Sequence, residues 1–286
     1  MSQPTIKAPP FVRYVVYFNG QNSAAAVPPN PAFYSNQLTV VAWFAIISNP
    51  NGWDGIVSTG YGNANNWYIM SGKAGVCQAY GGATFTGGAT GAGYPVVNCG
   101  EVHQYVLVLN GNQVLLYFDG KYYNSDYGHG DFVKDTSLAL VIGAEPRGPL
   151  TTPPSAFTNI AVWQVLIYNR PLNFAEIGQL YSNPTNPIRD GLVLWLQADP
   201  AYVSGNTWLD LSGNNNNATL YNAQLVQLVT PSPSPTISPT LSVAPTPTSP
   251  APSAPKLSPW LWVGVGIAAV VALGAGLYVA YKKGLI

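Results

Sequence analysis

The sequence predicts an all-β protein, a two-sheet antiparallel sandwich, on three observations. Short runs rich in β-branched and aromatic residues recur along residues 11–229. Gly, Asn and Pro punctuate these runs, and such residues end strands because they supply turn conformations or lack a backbone donor. Helical periodicity is confined to one short segment. In chain order the runs are FVRYVVYF (11–18), LTVVAWFAII (38–47), WYIM (67–70) and HQYVLVLN (103–110). QVLLYF (113–118), LALVIGA (138–144) and IAVWQVLIY (160–168) follow. Strands at this spacing, with so little helix, form sandwiches.

Each element has a local reason. Asn110-Gly111 supplies the positive φ angles of a tight hairpin between 103–110 and 113–118. The helical segment is LNFAEIGQLYSNP, residues 172–184. Asn173 fits its N-cap and Glu176, three residues on, completes a capping box, with Leu172 and Ile177 placed for a hydrophobic staple. Glu176 thus has a structural explanation and is not read as a catalytic acid. Beyond the helix, GLVLWLQADPAYVSGNTWLDLSGNNNNATLYN (191–222) builds more strand where the domain looks finished.

Charged residues are only 8% of the chain. All eleven acids lie before residue 211 with eight of the eleven bases, so the globular part carries about −3 (eight minus eleven). That excludes electrostatic nucleic-acid binding, which needs clustered Lys and Arg. Many Tyr, Asn and Thr with few charges suit an exposed β-rich surface. Cys77 and Cys99 each adjoin a β-like run. They either bridge, closing a loop of about 20 residues, or stay as buried thiols. No CxxC or His-rich spacing points to zinc.

The C-terminal part reads differently. Residues 230–259 hold ten prolines in thirty, with mostly Ser, Thr and Ala between them. Proline lacks the amide donor and restrains its neighbour to extended backbone, so a disordered, polyproline-like stalk is expected. Residues 260–281, WLWVGVGIAAVVALGAGLYVAY, are uncharged and long enough to span a bilayer as a helix. Trp260 and Trp262 mark one interface, Tyr278 and Tyr281 the other, and 282–286 forms a short basic tail. Lys282 and Lys283 against Lys256 favour the C-terminus inside and the domain outside, on a cell surface or virion envelope. The start, MSQPTIKAPPFVRYVVYF, lacks the apolar core of a signal peptide and argues the other way. Gly264, Ala268, Ala272 and Gly276 line one face of the expected helix, where two copies of the chain can approach closely. An exterior domain sits in an oxidising compartment, which favours the Cys77–Cys99 bridge.

The residues carry a family resemblance. FVRYVVYFNGQNSAAAVPPNP, LTVVAWFAI, DGIVSTG and WYIMSGKAGVCQAY, then HQYVLVLNGNQVLLYFDGKYY, SLALVIGAE and IAVWQVLIYNRPLNFAEIGQLY, stand in an order that resembles the concanavalin A-like lectin/glucanase superfamily, in its laminin-G-like branch. The resemblance covers roughly residues 11–182 and implies a jelly roll of two curved antiparallel sheets. GLVLWL and WLDLSGNNNNATLYN resemble the segment that usually begins such a domain. The domain, residues 1–229, is therefore read as circularly permuted, with 191–229 closing a sheet that would otherwise start on an unpaired edge. The alternative is the abbreviated start of a second repeat.

The superfamily contains glycoside hydrolases, so the carboxylates matter. Retaining hydrolysis needs two carboxyls roughly 5 Å apart, supplied on a strand by E-x-D-x-x-E spacing. Glu101, Glu145 and Glu176 are isolated, and Asp119 sits in an FDGK turn where it supports backbone geometry. No enzyme is expected. Calcium needs six to eight oxygens; Asp54 with Asn51, or Asp126, Asp131 and Asp135 beside His129, are the available donors, while Asp210 fits an Asx turn. No other cofactor is implied. Binding of a glycan or a surface protein is the stronger expectation. The loop-like stretches 49–55, 59–68 and 79–95 mix Gly and Asn with Trp53, Asp54, Tyr61, Asn66, Trp67, Tyr80 and Tyr94. Aromatic faces stack on sugar C–H surfaces while amides bond hydroxyls; the competing reading places Trp67 and Tyr80 in the core.

Overall fold

A computed structural model describes residues 5–60, 65–146 and 154–228. The chain divides at Ser232/Pro233, and every described residue lies in the first unit. The proline-rich stalk (230–259), the membrane-spanning segment (260–281) with its small-residue face, the basic tail (282–286) and Tyr61 lie outside the described residues. No helix among the described residues is long and apolar enough to cross a membrane.

Strands β1 (Tyr14–Asn19), β2 (Ala24–Val27), β3 (Gln37–Ser48), β4 (Gly55–Ser58), β5 (Trp67–Ser71) and β6 (Gln78–Phe85) come first. They are followed by β7 (Gly88–Val96), β8 (His103–Asn110), β9 (Gln113–Phe118), β10 (Lys121–Tyr127), β11 (Leu140–Ile142) and β12 (Asn159–Tyr168). After helix α1 (Phe174–Ser182) come β13 (Leu192–Gln197), β14 (Val203–Ser204), β15 (Thr207–Trp208), β16 (Ala218–Tyr221) and β17 (Gln224–Gln227). One sheet has the order β10-β9-β8-β3-β12-β1-β17, with β13 also on β12. The other runs β14-β15-β16-β2-β11-β4-β5-β6-β7. All named strand pairs are antiparallel. The fold is the all-β, two-sheet antiparallel jelly-roll sandwich that the sequence predicts.

Residues 192–228 enter both sheets, not one. The N-terminal half of β12 pairs with β1 and its C-terminal half with β13, so two strands share one edge end to end. β17 then covers the far side of β1, and β16 covers β2 in the other sheet. Period-2 alternation in β13 sends Leu192, Leu194 and Leu196 into the core, and Trp208 arrives there fully buried with its indole N–H donating to the Gln197 carbonyl (2.9 Å). Asp210 organises the Asn-rich turn as the sequence predicts, accepting from the Ser212 and Asn216 amides.

Two local details refine the sequence reading. The β8–β9 loop is Gly111-Asn112, one residue later than expected: Asn110 pairs with Gln113 in the ladder, and Gly111 alone takes positive φ (67°). A glycine at the first loop position defines a type II′ turn, whose twist matches the strands. At α1, the Asn173 side chain accepts from the Glu176 amide while Glu176 reaches back to the Asn173 amide, so both halves of the capping box form. Arg170 grips Glu176 through two nitrogens (3.1 and 2.7 Å) and holds its carboxyl below the usual range.

Cys77 and Cys99 form a disulfide across 22 positions, tying the start of β6 to the turn before β8. A closed loop of this length removes unfolded-state entropy equivalent to roughly 3 kcal/mol. A Cys77→Ala/Cys99→Ala chain is expected to melt roughly 6–12 °C lower. An unchanged melting curve, or two alkylatable thiols in protein from its native source, counts against a constraining bridge.

Residues 5–12 lie along the β7–β8 connection. The Lys7 amide donates to the Gly100 carbonyl and the Val102 amide to the Lys7 carbonyl, while Lys7 Nζ meets Glu101 Oε1 at 2.8 Å. His103, the first residue of β8, places Nδ1 2.8 Å from Asp119 Oδ2. That bond raises the imidazole pKa, against the opposing effect of its burial; the charges of Asp119 and Glu101 add to the rise. A raised folded-state pKa stabilises the protein fully below the unfolded value of about 6.5, and the gain is lost as pH rises through the folded value. Stability should therefore fall across neutral pH, and His103→Gln should flatten that slope. The same slope in the variant rules out His103 as its source.

Candidate functional site: an aromatic platform on glycine-lined strands

β6 alternates. Ala79, Ala83 and Phe85 face the core, and Tyr80 and Gly82 face outward. Gly82 pairs with Gly91 of β7 across the hairpin. A Cβ at Gly82 would stand 2.7 Å from the Tyr68 ring, and one at Gly91 would overlap the Tyr80 phenol. Two phenols therefore lie flat on a pair of glycines, and only glycine leaves room for them.

Above this floor, Tyr94 stacks on Tyr80 with centroids 5.2 Å apart and planes at 17°. Trp53 stands edge-on to both at 6.0 Å. The loop and the strand that carry them are bent to do so: Trp53 has φ 59° and Tyr94 φ 109°, conformations uncommon for non-glycine residues and costing about 1–3 kcal/mol each. Despite that cost, the two rings are turned to solvent, Trp53 49% and Tyr94 40% exposed. Tyr80 is half-buried, and burial first, then Tyr94, pushes its phenol up to about 12. Asp126 of β10 stands close enough to add to that shift, and Asn124 Nδ2 donates to the Gly93 carbonyl (3.3 Å), bringing polar groups to the rim. The result is a neutral aromatic surface with hydrogen-bonding groups beside it.

The structure brings together three of the residues singled out in the sequence, Trp53, Tyr80 and Tyr94, and buries Asp54, Asn66 and Trp67. Trp67 belongs to the core: it is fully buried and its indole N–H donates to the Phe33 carbonyl at 2.6 Å. Asn66, also fully buried, donates to the Thr59 and Asp135 carbonyls and accepts from the Asp135 amide, so both of its donors are used and its burial puts it out of a ligand's reach. Asp54 lies beneath the loop, buried, its carboxyl pKa raised by burial against a hydrogen bond with Asn51. Nor do the acidic residues converge: among the described residues no group of three or more His, Cys, Asp or Glu side chains is placed to hold a metal ion. Asp126 caps the Tyr127 amide and Asp135 the Ser137 amide and hydroxyl. Tyr68, Gly82 and Gly91 are the members that the sequence reading missed; the alternating glycines of AYGGATFTGGATGAGY were their signal.

Fold and platform together define a lectin-like β-sandwich. The chain belongs to the concanavalin A-like lectin/glucanases superfamily, whose laminin-G-type family model matches residues 19–178. A candidate carbohydrate-binding protein from Bacteroides ovatus shares the fold at 15% identity and TM-score 0.58, over 77% of this chain and 61% of that one. A SAP-like pentraxin from Limulus polyphemus aligns at 12% identity and TM-score 0.44, over 63% of this chain and 86% of its own. Trypanosoma rangeli sialidase aligns at 20% identity and TM-score 0.37, over 52% of this chain and 23% of its own, too loosely to bear on activity. No curated protein matches the chain in sequence.

Proposed function

We propose that the protein is a non-enzymatic recognition module that binds glycan through the Trp53–Tyr80–Tyr94 platform. The observation that carries this reading is two strained, solvent-turned aromatic residues converging on a stacked tyrosine. A hydrophobic core has no use for such an arrangement, whereas a sugar ring stacks on it. The superfamily and the candidate carbohydrate-binding relative support the ligand class. The order of the strands fits a permuted domain, in which residues 192–228 occupy the place of an opening segment. On sequence grounds the module is carried on the 230–259 stalk from a membrane span at 260–281, facing outward for adhesion.

Glycan-array screening of the full chain, followed by titration of Trp53→Ala and Tyr94→Ala, tests this. Each variant should bind roughly tenfold more weakly or worse, the loss expected of an aromatic hot spot. A wild-type chain silent on every glycan, or variants that bind as well as wild type, would sink the reading. A second reading, assembly of an envelope or virion through protein contacts, is favoured by one observation. Tyr122, Tyr127 and Phe174 are 51%, 55% and 62% exposed around β10 and α1.

A further inference from the structure

Four consecutive asparagines, 214–217, lie in the turn between β15 and β16, and they are used differently. Asn214 and Asn216 spend their side-chain nitrogens on β13. Asn214 Nδ2 donates to the Leu192 carbonyl (3.2 Å) and Asn216 Nδ2 to the Val193 carbonyl (2.8 Å). Asn217 uses the other end of its amide. Its Oδ1 accepts from the Asp210 backbone amide (2.9 Å), while its Nδ2 donates to no group among the described residues and is not closed off from solvent. The turn depends on the oxygen and makes no use of the nitrogen.

The two residues that follow give that nitrogen a chemical context. Asn217-Ala218-Thr219 is the one Asn-x-Ser/Thr triplet in the chain whose middle residue is not proline; Asn183-Pro184-Thr185 carries the proline that disqualifies it. This triplet is the acceptor signal for N-linked oligosaccharide. β16 buries Ala218 and Leu220 and turns Thr219 and Tyr221 outward. Period 2 puts Asn217, one residue before the strand, on the same outward side as Thr219. A sugar on Nδ2 leaves Oδ1 free to accept and removes one of two amide hydrogens, so the bond from the Asp210 amide is kept. The position also leaves the aromatic platform open. Strands β2, β11 and β4 stand between β16 and β5, and four spacings of about 4.8 Å make roughly 19 Å.

We propose that Asn217 is an N-glycosylation site. In the transfer, Nδ2 attacks the anomeric carbon of an oligosaccharide carried on a lipid diphosphate. The bond from nitrogen to that carbon forms, the carbon–oxygen bond to phosphate breaks with its electron pair leaving on the diphosphate, and one Nδ2 proton passes to a base of the transferase. The inference rests on the outward-facing reading of the domain and not on what the platform binds.

The full chain, expressed in cultured human cells and recovered from them, is treated with peptide-N-glycosidase. Its band should move to lower mass, and peptide mapping should place the sugar on Asn217. Asn217→Gln should abolish the shift. Should that variant fail to fold for want of the Asp210 contact, Thr219→Val, which suits a strand and loses only the hydroxyl, should abolish it too, whereas Thr219→Ser should keep it. A chain with no shift and a closed Cys77–Cys99 bridge overturns the proposal and leaves the outward reading standing. No shift with two free thiols overturns both. A shift that survives Thr219→Val or Asn217→Gln puts the sugar elsewhere and overturns the assignment.

Discussion

A chain ended after Asn183 should not fold; it should aggregate. Such a chain loses Leu194, Leu196, Trp208 and Leu220, all buried in the main core. At about 1.5–3 kcal/mol for each large side chain, the loss is on the order of 10 kcal/mol, comparable with the whole stability of a domain. It also strips partners from β1, β2 and half of β12, leaving open backbone edges that template aggregation. Sedimentation and circular dichroism of residues 1–183 decide the matter. A soluble fragment with a cooperative melt would show that the late strands are an appendage.

The second large effect separates two tryptophans that look alike in the sequence. Trp67→Ala is expected to cost about 3–5 kcal/mol, from the cavity left by a fully buried ring, with the Phe33 carbonyl deprived of its donor besides. That corresponds to a melting temperature lower by roughly 6–20 °C. Trp53→Ala keeps the strained backbone and loses only the ring contacts with Tyr80 and Tyr94, so at this half-exposed position it should cost about 1 kcal/mol while removing the front of the platform. Parallel thermal melts and glycan titrations give the comparison. If Trp67→Ala melts like wild type, the core assignment fails; if Trp53→Ala unfolds, the platform is structural.

The strands, the capping box and the sandwich class were legible because each follows from local pattern: period 2, turn residues, an Asn-x-x-Glu spacing. The partition of residues 192–228 between two sheets was not, since alternation tells which side chains turn inward and not which strand lies alongside. Trp53 meets Tyr94 through a contact between a loop and a distant edge strand, and no spacing rule reports it. Trp67 opens β5, where alternation turns it inward and Tyr68 outward, as the WYIM strand run and the core alternative for Trp67 imply. Asp119 adopts the left-handed φ of its turn (47°), but its side chain accepts from the Gln104 amide on the neighbouring strand and not within the turn. Its second oxygen, on His103, required the fold to bring residues 103 and 119 together.

The pairing of β17 with β1 has a mechanical side. Any pull transmitted through the chain beyond Leu228 enters the domain at Gln227, which sits opposite Tyr14 at the outer edge of its sheet. Four residue pairs hold β17 there, from Tyr14↔Gln227 to Tyr17↔Gln224, and beyond them the Leu228 amide donates to the Arg13 carbonyl (2.8 Å). Pulled away from β1, these pairs open in succession rather than together, so the last strand is a fuse: it peels first and spares β3, β8 and β12. The platform on β5–β7 lies in the opposite sheet, so peeling β17 breaks none of its strand pairs. A module gripping a ligand under tension would lengthen at its root before it lost its hold.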